Sequence, residues 1–353
     1  MPLDSYVTLG KSGLKVSPLC LGTMTFGNDW GWGADEAASR AMFDRYREKG
    51  GNFIDTADLY TQGTSEQFVG AFIADTKSRD RVVLATKFSF NAEPGNPNAG
   101  GNGRKNIYRA LEGSLKRLKT DYVDLYWLHV WDLVTPVDEV LSTMDALVRA
   151  GKVRHFGLSD VPAWYAAQAQ TRAEAQGWER IVALQLEYSL VERSIEREHI
   201  PAAAQLGLGV CPWSPLGGGF LSGKYRRAAG DNKPAGRLDG AWSAMFERVK
   251  TEKNQGILDA LIAVAAELGR SPAEVALNWV NTRPGITSTI IGVTSLTQLD
   301  SNLSALDFAI PAELGARLDA ASRLDSINPY RFFEPDTQAR VNGGTTVRGW
   351  RES

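Results

Sequence analysis

The sequence predicts an α/β chain folded as a (β/α)8 TIM barrel. Short apolar runs alternate strictly with amphipathic stretches at helical spacing, which favours parallel strands. The runs are near-continuous rather than alternating apolar and polar, as strands are when both faces are covered. Eight such units follow one another in the chain, the number that closes a barrel. A doubly wound sheet is the structural rival, but no Gly-x-Gly-x-x-Gly follows any early run, and that fold commonly carries this fingerprint.

The elements follow in order. Residues 6–17 read as a hairpin, with Tyr6-Val7-Thr8 and Leu14-Lys15-Val16 flanking a turn at Gly10 and Gly13. The first barrel strand is Leu19-Cys20-Leu21, closed by Gly22. Further strands are predicted over 53–55, 82–87, 123–129, 153–159, 182–187, 209–213 and 288–292. Helices are predicted over 35–49, 65–75, 104–118, 137–150, 162–176, 195–206 and 256–268. Residues 91–103 carry too many Gly, Pro and Asn for helix or strand and form a loop. Residues 222–250 form a second long loop, with a short helix near Trp242 to Arg248. Ser271-Pro272 caps an extra helix over 271–283. A last helix over 311–324 precedes an irregular tail, 325–353. There is no repeat beyond the βα unit and no linker, so residues 1–353 are expected to be one domain with long loops at the C-terminal barrel face.

Bulk properties narrow the function classes. The chain is 43% hydrophobic and 23% charged with a net charge of -2, which gives no electrostatic case for nucleic acid or an anionic membrane. Cys20 and Cys211 make neither a disulfide framework nor a metal cluster. No stretch approaches the roughly 20 apolar residues of a membrane span, and the opening Met-Pro-Leu-Asp-Ser-Tyr is no signal peptide. The expectation is a cytoplasmic protein, monomeric or homo-oligomeric, acting on a small molecule.

In a barrel of this kind, the C-terminal strand ends point into one shared site. Those ends offer Asp55, Lys87 and His129, with Tyr60 in the loop after Asp55. A tyrosine hydroxyl can protonate a carbonyl oxygen. Its free pKa is about 10, and a nearby ammonium lowers it. Asp55 would keep Lys87 charged and in place, and His129 could hydrogen-bond the substrate oxygen. Each residue alone has a plain structural reading: a cap, a packed ring, a satisfied imidazole. A charge ending an apolar strand, as at Lys87, needs a partner.

Several stretches resemble the aldo-keto reductases. They are Leu9-Gly10-Lys11-Ser12-Gly13 with Leu21-Gly22-Thr23-Met24, then Asn52-Phe53-Ile54-Asp55-Thr56-Ala57-Asp58-Leu59-Tyr60. Asp121-Tyr122-Val123-Asp124-Leu125-Tyr126-Trp127-Leu128-His129, Gly157-Leu158-Ser159-Asp160, Gln185-Leu186-Glu187-Tyr188 and Trp213-Ser214-Pro215-Leu216-Gly217-Gly218-Gly219 follow in the family's order. The resemblance implies a barrel that binds NADP(H) in extended form, with Asp55, Tyr60, Lys87 and His129 as a catalytic tetrad. Hydride would pass between the nicotinamide and a carbonyl or alcohol carbon while Tyr60 handles the proton. The family includes potassium-channel β subunits, so a cofactor-sensing regulatory subunit with little turnover is the alternative.

The resemblance also assigns cofactor positions. Gly22, Thr23, Met24 and Asp55 match the first of these. Ser159 and Gln185 match residues that bond the nicotinamide carboxamide, and Trp213 matches the ring that stacks on the nicotinamide. Asp160 stands where the family usually has Asn; an ionised carboxylate has no proton to donate, so it can bond only the amide NH₂. Ser214, Leu216, Gly218 and Leu221 match the segment over the pyrophosphate, with Lys224 adding charge. Gly218 to Lys224 also imitates the start of a P-loop, but Tyr225 stands in place of the metal-binding hydroxyl. Gly292, Thr294, Ser295, Gln298 and Asn302 match the adenine end, where relatives often carry Lys or Arg for the 2′-phosphate. NADP(H) is expected, with NAD(H) tolerated. An apolar or aromatic substrate would meet Met24, Trp30, Trp32, Phe88, His129, Trp131 and the tail rings Tyr330, Phe332 and Phe333.

Overall fold

The structure, a computed structural model, describes residues 2–225 and 248–347. Eight parallel strands form the barrel: β3 (Leu19–Gly22), β4 (Phe53–Asp55), β5 (Val83–Phe88), β6 (Val123–Leu128), β7 (Val153–Ser159), β8 (Ile181–Glu187), β9 (Gly209–Trp213) and β10 (Thr289–Gly292). Their spatial order is β10-β3-β4-β5-β6-β7-β8-β9, and a parallel bridge between Val210 and Ile286 closes the ring. The predicted (β/α)8 TIM barrel is therefore the observed one.

The strand pleat sorts side chains into two cores. Phe53, Val83, Ala85, Leu125, Trp127 and Cys211 fill the barrel interior. Ile54, Leu84, Phe88, Tyr126, Leu128 and Leu184 face the surrounding helices. Gly157 makes room for the interior Trp127: a Cβ there would lie 2.3 Å from the indole. The hairpin β1 (Val7–Thr8) and β2 (Lys15–Val16) plugs the N-terminal end. Leu9 and Val16 are wholly buried among the interior residues, and a Cβ on Gly10 would strike the Val182 carbonyl at 2.3 Å. With that end shut, the barrel opens to ligands at the C-terminal strand ends.

The helices are α1 (Glu36–Glu48), α2 (Thr64–Asp75), α3 (Arg104–Leu118), α4 (Val137–Arg149), α5 (Ala163–Gln176) and α6 (His199–Leu206), then α7 (Glu252–Leu268), α8 (Pro272–Asn281), α9 (Leu296–Leu303) and α10 (Ala312–Ala321). Three differ from the sequence reading. The stretch expected as one helix over 195–206 divides into a 3₁₀ turn, Ser194–Glu196, and α6. Helix α7 begins earlier than residue 256 because Thr251 caps it, its hydroxyl accepting from Asn254 N–H. The tail is not wholly irregular: Tyr330–Phe333 form a 3₁₀ turn and α11 (Pro335–Val341) follows. The short helix expected near Trp242 lies outside the described residues. Ser271 and Glu274 complete a capping box on α8.

Candidate active site

Strand parity delivers the site. On β4 the interior face carries Phe53 and then Asp55; on β5 it carries Val83, Ala85 and then Lys87. On β6 it carries Leu125 and Trp127, and one more step reaches His129. Lys87 is fully buried and Asp55 is 2% exposed. The Lys87 ammonium donates to Asp55 Oδ2, to the Thr56 carbonyl at 2.8 Å and to the Tyr60 hydroxyl at 3.1 Å. Gln185 Nε2 donates to the other Asp55 oxygen at 3.1 Å. All three ammonium protons and both carboxylate oxygens are thus used, as a buried pair requires.

Tyr60 is aimed by a strained turn. Thr61 and Gln62, directly after it, hold φ of 46° and 56°, a region non-glycine residues seldom occupy. Thr61 secures the turn by donating to the Phe26 carbonyl at 2.7 Å and accepting from Ser65 N–H. His129 hangs from β5 through its backbone N–H, which donates to the Phe88 carbonyl at 2.9 Å. Its ring lies edge-on to Tyr60, with centroids 5.8 Å apart. A clasp joins the loops around it: Asn102 N–H donates to Asp132 Oδ2 and Asp132 N–H donates to Asn102 Oδ1, both at 2.8 Å.

Burial and charge set the protonation states. Desolvation opposes the Lys87 charge, but Asp55 and Tyr60 outweigh it and raise the ammonium pKa, so Lys87 stays charged. Desolvation raises the Asp55 carboxyl, and Lys87 pulls it back. Desolvation likewise raises the Tyr60 phenol above 10.0 while Lys87 opposes it. The expectation of a lowered phenol is corrected here: burial wins and Tyr60 rests protonated. His129 lies well below the usual imidazole value because of burial and then Lys87; it is neutral and keeps one ring N–H to donate. Asp58 has Glu66, Arg117 and Arg109 as charged neighbours, and burial raises its carboxyl to about 7.

The residues matched to a dinucleotide divide in two. Ser159, Asp160, Gln185 and Trp213 converge at the ends of β7, β8 and β9: Asp160 N–H donates to the Gln185 carbonyl at 3.2 Å, and Trp213 Nε1 donates to Asp160 Oδ1 at 3.1 Å. Ser214, Gly217, Gly218 and Gly219 all hold positive φ, at 53°, 57°, 66° and 101°. A Cβ on Gly219 would meet nothing within 4 Å, so a ligand could approach the backbone there. Ser159 Oγ and His129 Nδ1 are buried and find no hydrogen-bond partner among the described residues. Orphaned polar atoms beside a glycine-rich turn fit a nicotinamide dinucleotide. The false P-loop is a 3₁₀ turn, Gly217–Ser222, and Tyr225 stacks on Phe220.

Other assigned positions are committed elsewhere. The Thr23 hydroxyl is buried against the Asp55 carbonyl at 3.0 Å and Ser65 Oγ at 2.8 Å, so it braces β4. A Cβ on Gly22 would crowd Ile290 at 2.7 Å, a packing role. Leu221 and Asn302 are buried; Leu221 N–H already donates to the Leu216 carbonyl. Leu216 and Met24 are half-buried, and Lys224 is exposed. Among the positions that the resemblance matches to the adenine end, Gly292 is exposed. Gln298 Oε1 accepts from Thr294 N–H at 2.9 Å, and Ser295 caps α9 by accepting from Gln298 N–H at 3.3 Å.

The aromatic assignments also divide. Phe88 is a correction: it is fully buried on the helix side, 4.9 Å from the Tyr126 ring, because it lies one residue past the inward Lys87. Phe90, which the sequence reading missed, takes the position beside His129, ring centroids 4.9 Å apart. Ser89, with φ of 136°, breaks the pleat between them, a local detail that residue type alone did not reveal. Trp30 and Trp32 pair at 5.9 Å. Trp131 packs between Trp164 and Tyr165, each at 5.3 Å, and Trp164 is 55% exposed. Tyr330 donates to Glu198 Oε1 at 2.5 Å, Phe332 and Phe333 are exposed, and among the described residues these tail rings meet one another, Arg197 and Arg331. Among the described residues no group of acidic, His or Cys side chains could hold a metal ion, and no helix is long and apolar enough to cross a membrane.

Comparison with known proteins gives consistent matches. A sequence profile described as the aldo/keto reductase family matches residues 18–323. The chain is 39% identical to an uncharacterized oxidoreductase, YrpG, of Bacillus subtilis, over 88% of this chain and 93% of that protein. It is 34% identical to norsolorinic acid reductase of Aspergillus flavus, over 97% of this chain and 87% of that one. It is 32% identical to an aryl-alcohol dehydrogenase [NADP(+)] of Phanerodontia chrysosporium, over 91% and 86%.

Proposed function

The chain belongs to the aldo/keto reductase family, and on that premise we propose that it reduces aromatic carbonyl compounds, or oxidises the matching alcohols, using NADP(H) with Tyr60 as acid and base. The observation that carries this reading is the buried chain Asp55, Lys87, Tyr60, in which a charged ammonium donates to a phenol beside a neutral His129.

NADP(H), when bound, supplies the hydride. Ser159, Asp160 and Gln185 would hold its carboxamide, Trp213 would face its ring, and the backbone of Ser214 to Gly219 would receive its pyrophosphate. Tyr60 gives its proton to the carbonyl oxygen as the carbon is reduced. The Lys87 ammonium then stabilises the phenolate that remains. Asp55 keeps Lys87 charged, and His129 donates to the same substrate oxygen and orients it. Phe90, Trp131 and Trp164 supply flat apolar surface for the substrate body. The names of two relatives, an aryl-alcohol dehydrogenase and a reductase of norsolorinic acid, support this choice of class.

The test is NADPH oxidation followed against a panel of aromatic and aliphatic aldehydes and ketones. Turnover is expected with aromatic members, at kcat/KM above that of aliphatic ones. Equal rates would overturn the aromatic assignment. Tight NADPH binding without turnover on any member would overturn the enzymatic one.

A further inference from the structure

We propose that Asp160 is a charge-bearing positioning residue that makes this site hold the oxidised nicotinamide more tightly than the reduced one; the inference rests on reading the barrel mouth as a dinucleotide site. Asp160 follows the last residue of β7 and is fixed at three points. Its φ of 46° turns the chain out of the strand. Its N–H is bound to the Gln185 carbonyl, and its carboxylate accepts from the Trp213 indole. The carboxylate therefore stands among the groups assigned to the nicotinamide, and it holds the indole N–H of Trp213.

Charge is what separates the two forms of the cofactor. The oxidised ring is a cation and the reduced ring is neutral, while the carboxamide, ribose and phosphates are shared. Hydrogen bonds to shared groups do not discriminate; a charge beside the ring or a π face against it does, and of these only the charge titrates. Two other acids at this rim are paired with cations, and Asp132 is tied up by the Asn102 and Thr135 N–H groups and the Thr135 hydroxyl in the loop beyond His129. Asp55 is paired with Lys87, and Glu187 accepts from Arg248 at 2.8 Å. Among the described residues no cation is hydrogen-bonded to Asp160. An asparagine at this position would give the same shape without the charge.

The local electrostatics make the effect titratable. Burial pushes the Asp160 carboxyl up to about 6; the Trp213 bond draws it back, Glu187 pushes it up and Lys87 pulls it down. Asp160 in turn raises the Tyr60 phenol slightly. His199, on α6, is occupied with the Val161 carbonyl at 2.9 Å. Asp160 as a whole residue is exposed at the mouth while its carboxyl is crowded by its neighbours, so solvent tempers these shifts. Above the carboxyl's pKa the charge is present and the oxidised cofactor is favoured; below it the preference is lost.

Calorimetric titration of the full chain with NADP⁺ and with NADPH, from about pH 5 to about pH 8, tests this. The ratio Kd(NADPH)/Kd(NADP⁺) is expected to rise about tenfold across that range. The ribose phosphate is common to both ligands and cancels in the ratio. Asp160→Asn is expected to flatten the ratio while still binding both forms. Trp213→Phe is expected to keep the rise but move its midpoint to higher pH, because the indole bond that lowers the carboxyl is gone. A flat ratio in the natural protein, or a rise that survives Asp160→Asn, overturns the proposal. Failure of both forms to bind at any pH overturns the reading of the site itself.

Discussion

The two ends of the rim are built on opposite principles. At β4, β5 and β6, charges are buried and fully partnered: Lys87 spends its three protons on Asp55, Thr56 and Tyr60. Beyond β10, polar groups are exposed and satisfy one another, with Thr294, Ser295 and Gln298 closing a turn at the start of α9. The stretch from Gly292 to Asn302 contains no Lys or Arg, and Arg45, which reaches α9, lies 3.7 Å from Asp300. A buried ion pair cannot lose one member without leaving a charge in a poor solvent. An exposed hydrogen-bonded turn can change residues at little cost. The first end is therefore rigid in its chemistry, and the second, under the proposed function, is where cofactor preference would be adjusted.

The largest effect should come from Lys87→Met, which strands Asp55 in the barrel. Turnover is expected to vanish, and urea unfolding to show a loss of about 3–5 kcal/mol. A variant as stable as the natural protein would break the contrast between the two ends. Tyr60→Phe should lower kcat by about a hundredfold to a thousandfold while cofactor Kd changes less than about twofold. Full activity in that variant would remove Tyr60 as the proton donor.

The pH profile probes the same end without mutation. Tyr60 is raised and His129 lowered, so at neutral pH the phenol is protonated and the imidazole is neutral. Neither group changes state near neutrality. The contribution of these two groups to carbonyl reduction should stay flat there, and the phenol should lose its proton only above the ordinary value of 10.0. A rate step near the free imidazole value, retained in Asp160→Asn, would contradict the neutral state of His129.

At the other end, Gly292→Arg should be tolerated, since a Cβ there meets nothing within 4 Å. It is expected to raise the kcat/KM preference for NADPH over NADH by about tenfold. No change would show that the 2′-phosphate does not lie near β10. The smallest effect is expected from Asn102→Ala, which opens the clasp to Asp132 and should raise substrate KM severalfold at a cost of about 1 kcal/mol. Burial would raise the Asp132 carboxyl, but bonds from Thr135, Asn102 and Val134 hold it below 3.8. The clasp is thus intact at neutral pH and weakens only as pH falls through that lowered value. An unchanged KM would separate the clasp from the placement of His129.

How much was legible follows the same division. The barrel was readable because apolar runs and helical spacing are properties of consecutive residues. Asp55, Lys87 and His129 were readable because a polar residue ending an apolar strand has few reasons to be there. Phe88 was misplaced although the rule that corrects it is local: it neighbours the inward Lys87 and so faces the helices. Phe90 needed the positive φ of Ser89. Thr23 and Leu221 fell in matching stretches, yet their side chains brace β4 or fill the core, and no linear pattern distinguishes those uses.

The sequence by itself determined the alternation of elements, the plugging hairpin and the identity of the groups at the strand ends, because periodicity and residue chemistry are written along the chain. Tertiary structure alone decided which groups meet. The Asp55–Gln185 bond spans 130 residues, and the Asp160–Trp213 bond spans 53. It also decided the direction of each proton equilibrium: the Tyr60 phenol rises rather than falls because desolvation in a closed barrel outweighs one neighbouring ammonium.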